Sequence, residues 1–194
     1  MPPVRDRRDE LYEAYLRVPE HQHAEILNGT LYVMSRPAPR HANASSMLVS
    51  ELGGPFQRGR GGPGGWWILS EPELQLVPKE PVVPDLGGWR LERMPQFPDT
   101  ACFTVVTHWV CEVLSRSTEK IDRDEKLPYY AVHGVPHVWL IDPIDKRLEV
   151  HSLDATTKRW REVRIYQGDV SVRAEPFAAL ELELAALWSP PRTA

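Results

Sequence analysis

Three consecutive segments constrain the fold of this chain more than anything else in it. Residues 103–114, FTVVTHWVCEVL, are rich in β-branched and aromatic side chains and read as a long central strand. Ser115 to Asp122 is a polar turn with several helix caps, and a helix is expected to follow to about His133, where Gly134 stops it. Val138–Ile141, VWLI, reads as a second buried strand closed by Asp142-Pro143. Two strands joined through a helix are too far apart in sequence for a hairpin. They lie side by side in parallel, as a βαβ crossover with a right-handed connection. A sheet that contains such a pair needs helices over its faces, so the chain is expected to be an α/β protein.

The other segments fit around that unit. Residues 5–17 read as an N-terminal helix with Leu11, Tyr15 and Leu16 as its apolar stripe. Glu25–Met34 reads as a hairpin, because Asn28-Gly29 is a strong two-residue turn signal between apolar runs. His41 to Phe56 is helical in pattern, with Met47, Leu48 and Leu52 on one face and Gly53-Gly54-Pro55 as its end. RGRGGPGG, residues 58–65, is a flexible loop whose Arg58 and Arg60 suit either solvent or a phosphate backbone. Trp66–Leu69, Glu73–Val77 and Val82–Leu86 read as strands, and residues 87–99 as an irregular Pro-rich connection. Residues 147–152 and 159–166 form a terminal hairpin, and Phe177–Trp188 an apolar closing segment. The expected architecture is a central mixed β-sheet flanked by helices, with hairpins near both ends. The tryptophans are expected in the core rather than as a stacking platform, and His108 and His137 as packing or surface residues.

The length, 194 residues, suits one domain over 1–194 with its core at about 10–188. Cys102 and Cys111 make neither a disulfide framework nor a zinc site, and free thiols fit a reducing cytoplasm. The charged N-terminus lacks the apolar core of a signal peptide, and no apolar run spans a membrane. The net charge of −4 argues against a broad basic footprint, so any nucleic-acid surface must be local.

Two carboxylates stand in apolar company. Asp85 follows Val82-Val83-Pro84, and Glu112 lies inside WVCEVL. A buried glutamate costs several kcal/mol unless it is paired or metal-bound, so these acids make either an ion pair or a cation site. Acids on neighbouring strand ends are the donors that a hard cation such as Mg²⁺ takes when it activates water for phosphodiester hydrolysis.

Pro84-Asp85, Glu112-Val113-Leu114-Ser115, Lys126, Tyr130-Ala131, Gly134-Val135 and Trp139–Pro143, with the hairpin Glu25–Leu31 and His41, stand in an order and spacing that resembles the Uma-type restriction endonuclease family of the PD-(D/E)XK nuclease superfamily. The resemblance runs from about residue 10 to 188. It implies a restriction-endonuclease-like core, Mg²⁺ (or Mn²⁺) on Asp85 and Glu112 with the Val113 carbonyl as a third ligand, in-line attack of a metal-bound water on DNA, and a homodimer. The superfamily lysine falls two residues after the glutamate, on the same strand face; this chain has Leu114 there. Lys126, from the following helix, matches the lysine of the Uma-type pattern and is expected to orient the water or to stabilise developing charge. Pro128 suggests that the helix begins near Lys126. Glu25 is a further candidate acid beside the metal; Glu71 and His41 are weaker candidates. His137 stands where the family usually has an acid.

The reading that results is a Mg²⁺-dependent endodeoxyribonuclease. The alternatives are a catalytically inactive nuclease-fold module that binds nucleic acid or a protein partner, and a hydrolase of another phosphate ester. A Glu112 buried against an arginine would favour the inactive module.

Overall fold

The computed structural model describes residues 6–188. Arg5, the expected first residue of the N-terminal helix, lies outside them, as do the ends of the proposed 1–194 domain. The elements in chain order are α1 (Arg7–Leu16), β1 (His23–Leu27), β2 (Thr30–Met34), α2 (Pro39–Leu52), β3 (Trp66–Ser70), β4 (Leu74–Val77), β5 (Glu80–Val82), β6 (Leu86–Arg90), β7 (Trp109–Val113), α3 (Glu119–Ile121), α4 (Leu127–His133), β8 (His137–Asp142), β9 (Arg147–Asp154), β10 (Arg159–Gln167), β11 (Ser171–Val172), β12 (Leu182–Glu183) and α5 (Ala185–Trp188). π-helical turns extend α2 over Gly53–Gln57 and join α3 to α4 over Asp122–Lys126.

The main sheet has six strands in the order β10-β9-β8-β7-β6-β3. Its parallel pair is β7 with β8, the two strands flanking the helix, and the other neighbours are antiparallel. Alternation along β7 divides the core. Trp109, Cys111 and Val113 face α2 and the C-terminal segment, packing with Leu48, Leu52, Trp139 and Phe177. Val110 and Leu114 face the opposite layer, with Leu27, Trp89, Tyr129, Tyr130, Val138 and Leu140. Glu112 shares the parity of Val110 and Leu114, so the pleat directs it toward the α4 layer.

Several boundaries differ from the sequence reading. The strand expected over 103–114 is confined to Trp109–Val113, with Phe103 touching only an isolated bridge to Leu74. Thr107 ends the ladder: its hydroxyl donates to the Gly88 carbonyl at 2.8 Å and accepts from the Trp109 N–H at 3.0 Å, turning the chain before β7. Val82–Leu86 is not one strand. Asp85 sits just before β6, which occupies part of the stretch expected to be irregular. Glycines hid β6, and packing explains them. A Cβ on Gly87 would lie 2.8 Å from the Pro72 side chain, and one on Gly88 3.0 Å from the Trp109 ring. The α-helical part of α2 ends at Leu52 with Gly53 as its cap, as expected, and Gly53-Gly54-Pro55 opens a π turn that carries the helical path to Gln57. Leu16 is 63% exposed, so the apolar stripe of α1 is weaker than expected; Tyr15 docks the helix by donating to Glu73 at 2.8 Å. Asn28 and Gly29, both at positive φ, form the expected β1–β2 turn. Among the described residues no helix is long and apolar enough to cross a membrane.

Candidate active site

A cavity of about 470 Å³ opens where β6, β7, hairpin β1–β2, the start of α2 and the segment 115–126 meet. Glu25, His41, Glu71, Asp85, Glu112 and Lys126 all line it, so every side chain singled out for the site faces one space. The strands explain the central pair. Leu86 pairs with Cys111, which brings Asp85, one residue before β6, alongside the end of β7. The Val113 N–H donates to Asp85 Oδ2 at 2.7 Å, and the Asp85 N–H lies 3.4 Å from Glu112 Oε2. A strand residue turns its N–H and C=O to the same side, so the Val113 carbonyl is directed to the Asp85 side as well. His41, in the first turn of α2, places Nε2 3.1 Å from Asp85 Oδ2. Burial works against protonation of His41, but the hydrogen bond and charge of Asp85 outweigh it and hold its pKa above the ordinary value.

As expected, α4 begins at Leu127 with Lys126 at its cap and Pro128 in its first turn; what the sequence did not show is that the helical path starts seven residues earlier, at Glu119, and runs into α4 through the π turn. Lys126 is not solvated. It is 4% exposed, and its ammonium lies 2.9 Å from Glu25, 3.3 Å from Glu112 and 3.8 Å from Asp122, and donates to the Val83 carbonyl at 3.3 Å. Burial disfavours its charge, yet Glu112, Glu25 and Asp122 together raise its pKa well above the ordinary value. Glu112 is the mirror case. Burial pushes its carboxyl well up, Lys126 opposes this, and the nearby acids add to the rise. Burial, against the pull of Lys126, also raises Asp122 to about 6.

Asp122 and Tyr130 carry no site role in the sequence reading, although their spacing held a signal. Asp122, Lys126 and Tyr130 are four residues apart. In an α-helix each such step drifts about 40° around the axis; an underwound π turn takes up part of that drift, and such turns are frequent at functional sites. The Tyr130 hydroxyl donates to Glu112 Oε1 at 2.5 Å, and burial with the adjacent Glu112 raises the phenol well above its ordinary pKa. Two clamps fix the π turn. Arg123 grips Glu149 of β9 through two bonds of 3.0 and 2.7 Å, and Asn28 at the hairpin tip donates to Glu125 at 3.0 Å. Arg36 and His23, also outside the expected set, line the cavity. Glu71 is peripheral: it is exposed, at φ 48°, and its N–H donates to the Asp85 carbonyl.

The lining holds five acids against Lys126, Arg36 and two histidines. Among the described residues no three His, Cys, Asp or Glu side chains converge to cage an ion by themselves. A hard octahedral cation asks for less, since it keeps several waters and takes one or two carboxylates. The donor set fits such an ion: acids are in excess, Asp85 and Glu112 come from adjoining strand ends, and Glu25 Oε2 is buried without a hydrogen-bond partner. His108 and His137 lie away from the cavity. His108 Nδ1 accepts from the Arg90 N–H at 3.2 Å and is pushed down to about 4 by burial and two arginines.

A family model named Uma2 and described as "Putative restriction endonuclease" matches residues 9–186. Among solved structures, a crystal structure from Anabaena variabilis, described as a putative nuclease belonging to DUF820, superposes with a TM-score of 0.73 at 21% identity, covering 91% of this chain and 96% of that one. At that identity the likeness is one of fold, the restriction-endonuclease-like α/β fold. No curated protein matches.

Proposed function

From a chain that belongs to the Uma2 family, described as "Putative restriction endonuclease", we infer a metal-dependent nuclease that hydrolyses DNA phosphodiester bonds with Asp85 and Glu112 as its metal ligands. One observation carries the reading. Two carboxylates 27 positions apart in sequence are joined at adjoining strand ends, with a buried lysine beside Glu112 and an excess of acids facing one cavity. Folding buries such charge at a cost, which a bound cation offsets. Glu112 is paired with Lys126 and not with an arginine, so the observation reserved for an inactive module is not met.

When bound, a divalent ion would lower the pKa of a water and place positive charge beside the scissile phosphate. Asp85 and Glu112 would hold it, with the Val113 carbonyl as a third donor. His41 and the Val113 N–H fix Asp85 Oδ2. Lys126 replaces the lysine missing at Leu114: its ammonium, held by Glu25 and Asp122, orients the nucleophile or meets charge that develops on the phosphate. Glu25 thereby acts through Lys126. DNA as substrate, Mg²⁺ (or Mn²⁺) as the ion, a homodimer and a cytoplasmic location belong to the same proposal.

The test is cleavage of supercoiled plasmid with Mg²⁺ or Mn²⁺ by wild type, Asp85→Asn and Glu112→Gln. The expected loss in each variant is on the order of 100-fold or more, and a chelator abolishes wild-type cleavage. Cleavage by all three at one rate refutes the assignment.

A further inference from the structure

Tyr130 is fully buried on α4, one helical step beyond Lys126, and no role in the reaction above falls to it. Its hydroxyl donates to Glu112 Oε1 at 2.5 Å. The other carboxylate oxygen, Oε2, receives only longer contacts of 3.4 Å, from the Asp85 N–H and from Lys126. The two oxygens of a carboxylate are equivalent until the surroundings distinguish them. Lys126 does not distinguish them, since it lies 3.3 Å from Oε1 and 3.4 Å from Oε2. The phenol does. It is itself fixed: its ring packs edge-on against Tyr129 at 5.9 Å, and its backbone carbonyl accepts from the Val135 N–H at the helix end. A terminal carboxylate torsion is broad and roughly two-fold, so without such an anchor Glu112 samples a range of orientations.

We propose that Tyr130 is a positioning residue whose hydroxyl holds Oε1 of Glu112 so that Oε2 stays turned toward Asp85 as the oxygen offered to a divalent ion. The inference rests on the reading of Asp85 and Glu112 as ligands. It gives the π turn a purpose. The turn brings Lys126, the countercharge, and Tyr130, the anchor, to the same carboxylate from one rigid helix, as a precise metal site requires of its surroundings.

Tyr130→Phe deletes the hydroxyl and keeps the ring. Mn²⁺ binding is measured on the full chain by calorimetry or by electron paramagnetic resonance, with Tyr129→Phe and Glu112→Gln alongside. Tyr129 is a neighbouring buried phenol that lies by Glu80 instead of Glu112. The expected result is a Mn²⁺ dissociation constant raised about tenfold in Tyr130→Phe, as for a lost hydrogen bond to a charged group. The metal concentration that half-saturates cleavage rises in parallel, and Tyr129→Phe binds as wild type does. A dissociation constant for Tyr130→Phe within about twofold of wild type overturns the proposal. So does an equal loss in Tyr129→Phe, because the effect is then a general loosening of α4. Glu112→Gln that binds Mn²⁺ as well as wild type overturns the ligand assignment itself. Loss in Glu112→Gln with none in Tyr130→Phe overturns only the role of Tyr130.

Discussion

Replacing Lys126 by methionine keeps an unbranched stem of similar volume and removes the ammonium. The structure gives the consequence. Glu25, Glu112 and Asp122 are all buried, and their carboxylates lie within 2.9–3.8 Å of that one ammonium. Breaking a buried ion pair by removing one member costs about 3–5 kcal/mol, because the remaining charge is left without compensation. For a domain of this size that corresponds to a fall in Tm of roughly 6–20 °C. The loss depends on pH in a defined direction. Burial already raises Glu112 and Asp122, and in the variant the Lys126 charge that chiefly opposes it is gone, so the folded chain binds those protons more tightly than the unfolded chain. Stability from this source is complete below the ordinary carboxylate range and is lost as pH rises through the raised folded values. Lys126 itself, held well above its ordinary value, stays charged throughout that window and adds no slope to the wild type there. Urea unfolding of both proteins at about pH 5 and about pH 8 is the assay. The full deficit is expected at the higher pH and a smaller one at the lower, with millimolar Mg²⁺ restoring part of it at the higher pH. A deficit of the same size at both pH values means lost packing alone, and a deficit under about 1 kcal/mol at the higher pH refutes the uncompensated-charge argument.

Three further outcomes are expected. Asp85→Asn lowers the His41 pKa, because burial remains while the carboxylate that chiefly outweighs it is gone; an NMR titration of the imidazole reads this directly, and an unchanged value contradicts the pairing. Asp122→Asn removes a slope from the stability profile: with Asp122 raised to about 6, wild-type stability falls between roughly pH 4 and pH 6, and the variant's profile over that window, read by urea unfolding, is flatter. Arg123→Met loosens the π turn by deleting its bidentate grip on Glu149, with an expected loss of about 1–3 kcal/mol and faster amide exchange over residues 119–126; unchanged exchange there contradicts the clamp.

Much of the fold was legible because it rests on short-range patterns. The βαβ unit, the Asn28-Gly29 hairpin, the terminal hairpin and the apolar face of α2 each follow from periodicity and turn chemistry within a dozen or so residues. The misplacements share a cause. β6 reads as a loop because Gly87 and Gly88 look like turn residues. They are glycines because the side chains of Trp109 and Pro72, from other parts of the chain, crowd the space where a Cβ would stand. Phe103–Thr107 reads as strand because its residues suit one, while Thr107 redirects the backbone through bonds to Gly88 and Trp109.

The same division runs through the site. An acid set among apolar neighbours stands out in one dimension, since its burial cost is local, and so Asp85 and Glu112 were recognisable as the residues to explain. Lys126 required a resemblance to find, and its burial among three acids was not foreseeable, because the countercharges come from β1, β7 and its own helix. Asp122 and Tyr130 joined the site only through a π turn, whose altered winding decides which residues share a face, and that winding is set by what Arg123 and Asn28 reach across the fold. Sequence alone determined which side chains carry unusual charge for their surroundings. Tertiary structure decided which of them meet, because a contact between residues far apart along the chain depends on strand register and helix winding, and both are fixed by packing that no local pattern contains.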